Sequence, residues 1–212
     1  MSHIFKIKID GWKHKTAIPA KYAFGQPGKD EPFATSDNIS PRITWENPPA
    51  ETQSFSLICH DPDVPSSAED VNQEGRTVPA SLARVPFHHW VLIDIPSELS
   101  ELPEAIGSEG VTPRGKPCAA SKVGLHGQND YTHWFAGDKD MEGIYGAYDG
   151  PCPPWNDSIA HRYYFTLYAL SEKSLGISNN FTAEQAIEAM KGKVLGQCEY
   201  MGTYSMNPKV SA

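Results

Sequence analysis

The 212-residue sequence contains no apolar run approaching the roughly 18 residues that suggest a membrane span. Its first ten residues, MSHIFKIKID, alternate apolar and basic side chains, so the uninterrupted apolar core of a secretory signal is missing. Cysteine is scarce: Cys59, Cys118, Cys152 and Cys198 are dispersed, and no two form a CxxC pair. Scattered thiols without an export signal read as the reduced cysteines of a cytoplasmic protein, and the same spacing argues against a structural zinc site. Basic residues are outnumbered, 18 against 26 acidic, for a net charge of −8. General binders of nucleic acid or of anionic membranes carry the opposite field, so no nucleic-acid partner and no integral membrane association are expected. The GxSxG elbow, the HExxH helix and both glycine-rich phosphate loops are absent as well, which removes the common hydrolase, zinc-protease and nucleotide-binding templates.

Glycine (17) and proline (18) are abundant and follow no repeat, as in a chain rich in turns. Period-2 alternation predicts strands over residues 5–9, 43–45 and 54–60, with further strands over 89–95 and 161–170. The segment 161–170 (HRYYFTLYAL) carries aromatics on both faces and reads as a central strand buried on two sides. Two prolines in Asp61-Pro62-Asp63-Val64-Pro65 are expected to end the strand before them, because proline cannot donate to a ladder. Thr182 with Gln185 fits a capping box, and Ala183, Ala186, Ile187, Met190 and Val194 recur at helical spacing up to a stop at Gly196. A strand then returns over 197–204. Residues 66–86 and 107–147 are long connections of the kind that often carry function. The sum is a mainly β chain, a β-sandwich with a few peripheral helices and a C-terminal helix, forming a single domain over residues 1–212.

Three places combine polar groups with strand ends. His60–Pro65 (HDPDVP) brings Asp61 and Asp63 two residues apart, and is equally an ordinary proline-stiffened turn. In His88-His89 only one ring shares a pocket with a given partner if the strand is regular, and a packed core histidine is the plainer reading. Gly150-Pro151-Cys152-Pro153-Pro154 is a stiff loop whose free N–H groups suit an anion, followed by His161, Arg162 and Tyr163. Arg162 points away from His161 and Tyr163, to an anion or to a structural acidic partner. No nucleophile–base–orienter set is visible, although Asp61, His89 and His161 supply the ligand types of a mononuclear iron site.

The blocks SPRITW (40–45), SFSLICHDPDVP (54–65), FHHWVLIDIP (87–96), YDGPCPPWND (148–157) and HRYYFTLYAL (161–170) resemble, in order, the phosphatidylethanolamine-binding protein family, most closely its bacterial and archaeal Raf-kinase-inhibitor-like branch. The resemblance implies a β-sandwich with a small cavity that binds phosphate-like anions or a phosphatidylethanolamine head group. It implies pocket positions at Asp61, Asp63, Pro65, Phe87, His89, Gly150, Cys152, Pro154, His161 and Tyr163, with no metal and no cofactor. It also implies a cis peptide at Val64–Pro65. Asp61 would repel an anion unless it favours a protonated imidazole, so His89 or His161 is expected to donate to the ligand, with tighter binding at mildly acidic pH.

The leading expectation is therefore a non-enzymatic binding protein with a phosphoryl pocket, acting on a protein partner such as a kinase. An inhibitor of kinases or proteases acting through its surface, with the pocket only regulatory, is a second reading. A weak hydrolase or metal enzyme built on Asp61, His89 and His161 is a third. The resemblance is also compatible with a homodimer, and the 107–147 connection is expected to lid the pocket, to make a dimer contact or to be disordered.

Overall fold

A computed structural model describes residues 4–178 and 180–212, so residues 1–3 of the alternating N-terminal stretch lie outside the described residues. The strands in chain order are β1 (Lys6–Ile9), β2 (Thr16–Ala17), β3 (Gly25–Gln26), β4 (Ala34–Thr35), β5 (Ile43–Glu46) and β6 (Ser54–Pro65). They continue with β7 (Arg84–Pro96), β8 (Glu101–Leu102), β9 (Ala120–Ser121), β10 (Gly124–His126), β11 (His161–Leu170) and β12 (Val194–Tyr204). Two α-helices, α1 (Tyr131–Trp134) and α2 (Ala183–Met190), and a 3₁₀ turn at Ala20–Tyr22 complete the elements of the described residues. The architecture is the expected mainly β one. None of the described helices is long and apolar enough to cross a membrane.

Seven strands form one sheet in the order β2-β12-β11-β6-β7-β10-β9, and β1-β5-β8 form a second. The alternation that marks β1 puts Ile7 and Ile9 inward and Lys6 and Lys8 outward, in register with Trp45 and Ile43 of β5. These side chains pack on Phe55, Leu57, Cys59, Trp90, Leu92, Phe165 and Leu167 of the large sheet. The opposite face of the large sheet buries Ile58, Val91, Ile93 and Leu170 under Phe181 and the Ala183, Ala186 and Met190 stripe of α2. That second layer is why β11 carries apolar residues on both faces.

The Thr182–Gln185 capping box forms as the sequence indicates. The helix is shorter than its apolar spacing suggests: Lys191 leaves the helical region with ψ 129° and Gly192 takes φ +74°, so the chain turns there rather than at Gly196. Val194 is exposed at the start of β12, and Gly196 pairs with Ala169 inside the sheet.

Two expectations about the HDPDVP segment are overturned. The strand does not stop at Asp61 but runs to Pro65, with Val64 opposite Val85 and Pro65 opposite Arg84. Pairing with β11 ends at His60, so beyond it β6 has a ladder partner only in β7, and the missing proline N–H groups leave no gap. The described residues contain no cis peptide bond, so Val64–Pro65 is trans, as an extended, still-paired strand requires.

Candidate functional site

The central strands lie in the order β11-β6-β7 and are antiparallel, so the end of β6 sits beside the beginnings of β7 and β11. Asp61, His89, His161 and Tyr163 meet there. Two bulges adjust the meeting. Cys59 pairs with Trp90 but His60 pairs with His88, leaving His89 as the extra residue of β7. That bulge lets His89 and Trp90, neighbours in sequence, both face the sandwich interior, while His88 turns to the other side and binds Asp130 at 3.0 Å. The second bulge, between Asp61 and Val64, is clamped by Arg162. Its Nε donates to Asp63 Oδ2 at 2.8 Å and its Nη2 to Oδ1 at 2.6 Å.

The convergence opens into a cavity of about 270 Å³. Its floor is Asp61, His89, His161 and Tyr163, and its walls are mostly apolar, including Phe24, Phe87, Tyr131, Trp134 and Phe135 together with Pro153 and Pro154, with Asn72 at the side. Phe24 stacks on Tyr131 at 4.7 Å, and Phe87 meets Tyr131 edge-on at 5.1 Å. No lysine or arginine is among the described residues that line the cavity.

His161 is fully buried between two carboxylates. Its Nδ1 donates to Asp61 Oδ2 at 2.6 Å and its Nε2 to Asp157 Oδ2 at 3.1 Å. Burial is the largest influence and opposes the charge, but the hydrogen bonds to Asp157 and Asp61 outweigh it and raise the imidazole pKa to about 9. Asp157 is in turn gripped by both Arg84 Nη atoms, at 2.5 and 3.0 Å. Burial pushes the Asp157 carboxyl up, and its bonds to His161 and Arg84 bring it below the usual range. The row Asp61, His161, Asp157, Arg84 thus alternates in sign and sums to zero.

His89 is built differently. Its Nδ1 lies 2.8 Å from the Asp149 carbonyl oxygen, which can only accept, so Nδ1 carries the proton and Nε2 is left for the cavity. Burial lowers its pKa, against the opposing pull of Asp61, and the ring is neutral at pH 7. The Asp149 side chain fixes that carbonyl. It is fully buried and accepts from Asn38 at 2.8 Å, Lys116 at 2.7 Å and Asn129 at 2.8 Å.

The Tyr163 hydroxyl makes no hydrogen bond of normal length among the described residues, although the residue is 1% exposed and the Asp61 carboxylate is its nearby acceptor. Burial, and then the nearby Asp61 charge, hold the phenol well above its usual pKa, so it remains a donor. Cys152 adds a backbone N–H that makes no hydrogen bond among the described residues, and a thiol that burial pushes up to about 12.

A sequence model of the family described as phosphatidylethanolamine-binding protein matches residues 8–205. The chain belongs to this family. It is 34% identical over 198 residues to a UPF0098 protein of Methanothermobacter thermautotrophicus, covering 93% of this chain and 97% of that one. It is 28% identical to the UPF0098 protein YbhB of Escherichia coli, over 76% of this chain and 74% of YbhB. A crystal structure from Chlamydia trachomatis, described as a homolog of phosphatidylethanolamine-binding protein, superimposes with a TM-score of 0.62 at 26% identity, covering 95% of this chain and 97% of the other. Escherichia coli YbcL gives 0.65 at 21% identity, over 95% and 98%, and shares the fold.

Of the ten positions that the family resemblance marks, eight line the cavity: Asp61, Pro65, Phe87, His89, Cys152, Pro154, His161 and Tyr163. Asp63 does not, because both its oxygens are spent on Arg162. Gly150 does not either. Its N–H donates to Asn38 Oδ1 at 2.8 Å, and a Cβ there would lie 2.0 Å from the Tyr22 carbonyl oxygen, so this glycine serves close packing. His161 cannot donate to a ligand, since both ring nitrogens are engaged. Sequence reasoning missed four aromatic residues, Phe24 and Phe33 from the loops around β3 and β4 and Tyr131 and Phe135 at α1, and also Ala68, Val71 and Asn72 of the 66–86 connection. The 107–147 connection does wall the cavity, through Tyr131, Trp134 and Phe135. Their spacing around one helical turn is its only trace in the sequence. No group of three or more His, Cys, Asp and Glu among the described residues is placed to hold a metal ion.

Proposed function

We propose that this protein binds, without chemical turnover, a small molecule with a phosphoryl-type anionic head, seated on Asp61, His89 and Tyr163 with its body against the aromatic walls. The observation that carries this reading is the orphan Tyr163 hydroxyl. A buried donor left unpaired costs about 1–3 kcal/mol, and a ligand oxygen accepting from it recovers that cost. Cys152, which lines the cavity, adds a backbone N–H that makes no hydrogen bond among the described residues, and the family's description, phosphatidylethanolamine-binding, points to the same head-group chemistry. The cavity of about 270 Å³ suits a head group and a few further atoms, not a whole two-chain lipid.

Catalysis is disfavoured by the same chemistry. The one thiol in the lining, Cys152, is held protonated by burial, and His161 is locked between two carboxylates and unable to act as a base.

Thermal unfolding with inorganic phosphate, phosphoethanolamine and phenyl phosphate tests the reading. A ligand at about 100 times its Kd stabilises by about 2.7 kcal/mol, and the effect is expected to be larger at mildly acidic than at mildly alkaline pH. Loss of the shift in Tyr163→Phe supports the placement of the head. Absence of any shift with all three compounds overturns it.

A further inference from the structure

His89 meets Asp149 twice. Its carbonyl accepts from the Asp149 N–H at 3.0 Å, and its Nδ1 donates to the Asp149 carbonyl at 2.8 Å. The second bond keeps the proton on Nδ1 and turns the Nε2 lone pair to the cavity. That carbonyl belongs to the Asp149–Gly150 peptide, and the N–H of the same peptide is held by Asn38. Asn38 Oδ1 accepts from the Gly150 N–H at 2.8 Å, while its Nδ2 donates to Asp149 Oδ1 at 2.8 Å and to the Gly110 carbonyl at 3.0 Å. Asn38 is fully buried and takes φ +50°, a left-handed conformation that asparagine adopts more readily than most residues. It lies just before the SPRITW block, and no motif marks it.

The glycine after Asp149 leaves this peptide free to turn over unless another group holds it. Turned over, it would offer an N–H to Nδ1, and the ring proton would move to Nε2. We propose that Asn38 is the positioning residue that locks the Asp149–Gly150 peptide and so fixes which His89 tautomer faces the ligand. This rests on the phosphoryl reading above and adds how the site is controlled. A floor that shows a lone pair donates to a phosphoryl oxygen only after His89 takes up a second proton, so capture of the head is tied to one proton.

The groups around the ring leave that proton to His89. Asp61 is bonded to His161 and to the Asp63 N–H, Asp149 to Lys116 and two amides, and Asp130 to His88. Burial holds Tyr131, Tyr163 and Cys152 protonated, and His161 is committed between its two carboxylates. His60 stacks on Tyr164 beside His88, on the other side of the sheet.

Long-range ¹H–¹⁵N NMR of the wild type at about pH 8 reads the tautomer, expected to be protonated at Nδ1 and bare at Nε2. Binding is followed by calorimetry with phenyl methyl phosphate, a phosphodiester that keeps a single charge across the range, so that only the protein titrates. Wild-type affinity is expected to fall about tenfold or more from about pH 6 to about pH 8, as binding linked to uptake of one proton requires. Asn38→Gly accepts the left-handed backbone without strain and removes the amide. It is expected to show a mixture of tautomers and to hold its affinity within about threefold over the same range, whatever uniform loss the looser loop brings. Asn38→Ser, whose hydroxyl is too short to bridge Asp149 and Gly150, repeats the test in a second background. A wild type protonated at Nε2, a flat wild-type profile, or variants that keep the single tautomer and the full pH dependence overturn the proposal and leave the phosphoryl reading intact. Failure of the phosphodiester to bind at any pH overturns the phosphoryl reading itself.

Discussion

His161 and Asp61 are joined by a 2.6 Å hydrogen bond with both side chains buried, and Asp157 holds the far side of the same ring at 3.1 Å. The pair is both the floor of the cavity and a structural ion pair tying the start of β11 to the end of β6. The charge on His161 is thus committed to the fold, and the uncommitted imidazole is that of His89.

A stability profile follows from this arrangement. The folded pKa of His161, about 9, lies above the unfolded value of 6.5, so the stabilisation is fully present below about pH 6.5 and is lost as pH rises through about 9. Denaturant unfolding of the wild type is expected to show declining stability across that window. His161→Gln should flatten this decline and cost about 3–5 kcal/mol near neutral pH, because two buried carboxylates lose the cation between them. The His161 proton resonance, identified by its loss in His161→Gln, titrating with a midpoint of about 6.5 would contradict the assignment.

Gly150 separates packing from binding. Its Cβ-free surface meets the Tyr22 carbonyl, and a methyl group there would lie 2.0 Å from that oxygen. Gly150→Ala should therefore destabilise by about 1–3 kcal/mol, the range for overpacking, as measured by urea unfolding. A neutral result would show that the loop yields and that the glycine is not needed for close approach.

The strand skeleton was legible because Ile7 and Ile9 alternate cleanly and because β11 is apolar on both faces. The site was legible only in part. Pro62 and Pro65 read as a stop, since nothing local reveals that β6 has by then lost one neighbour. His89 and Trp90 share a face only because a bulge breaks the period of two, and a bulge leaves no trace in the residue pattern. Gly150 looked like an anion loop because its partner Asn38 is 112 positions away. Phe24 was invisible for the same reason, and Tyr131 left only its helical spacing to Trp134 and Phe135: loops held by Asn38, Asn129 and Asp149 acquire their shape from distant contacts.

Trp134 tests the apolar wall. It lines the cavity yet is 48% exposed, so its removal should leave the fold within about 0.5 kcal/mol of wild type. Trp134→Ala is expected to weaken phenyl phosphate by about tenfold, from about 1–2 kcal/mol of lost apolar contact, and to leave inorganic phosphate unchanged. Equal weakening of both ligands in calorimetric titration would instead mean that α1 shapes the floor.

Tyr163 should show function set against stability. Its hydroxyl is buried and makes no hydrogen bond of normal length among the described residues, with Asp61 as its nearby acceptor, and burial holds it protonated, so in the ligand-free protein it is a desolvated donor only weakly compensated. Tyr163→Phe keeps the ring and its edge-on contact with His89, whose centroid lies 5.2 Å away, and removes only the oxygen. The ligand-free variant is therefore expected to be as stable as wild type or more stable by about 1 kcal/mol in urea unfolding, while phenyl phosphate binds about tenfold more weakly. A less stable variant would mean that a water or a reoriented Asp61 already satisfies the hydroxyl in the free protein. The driving force for ligand capture would then have to come from the Cys152 N–H and the aromatic walls alone.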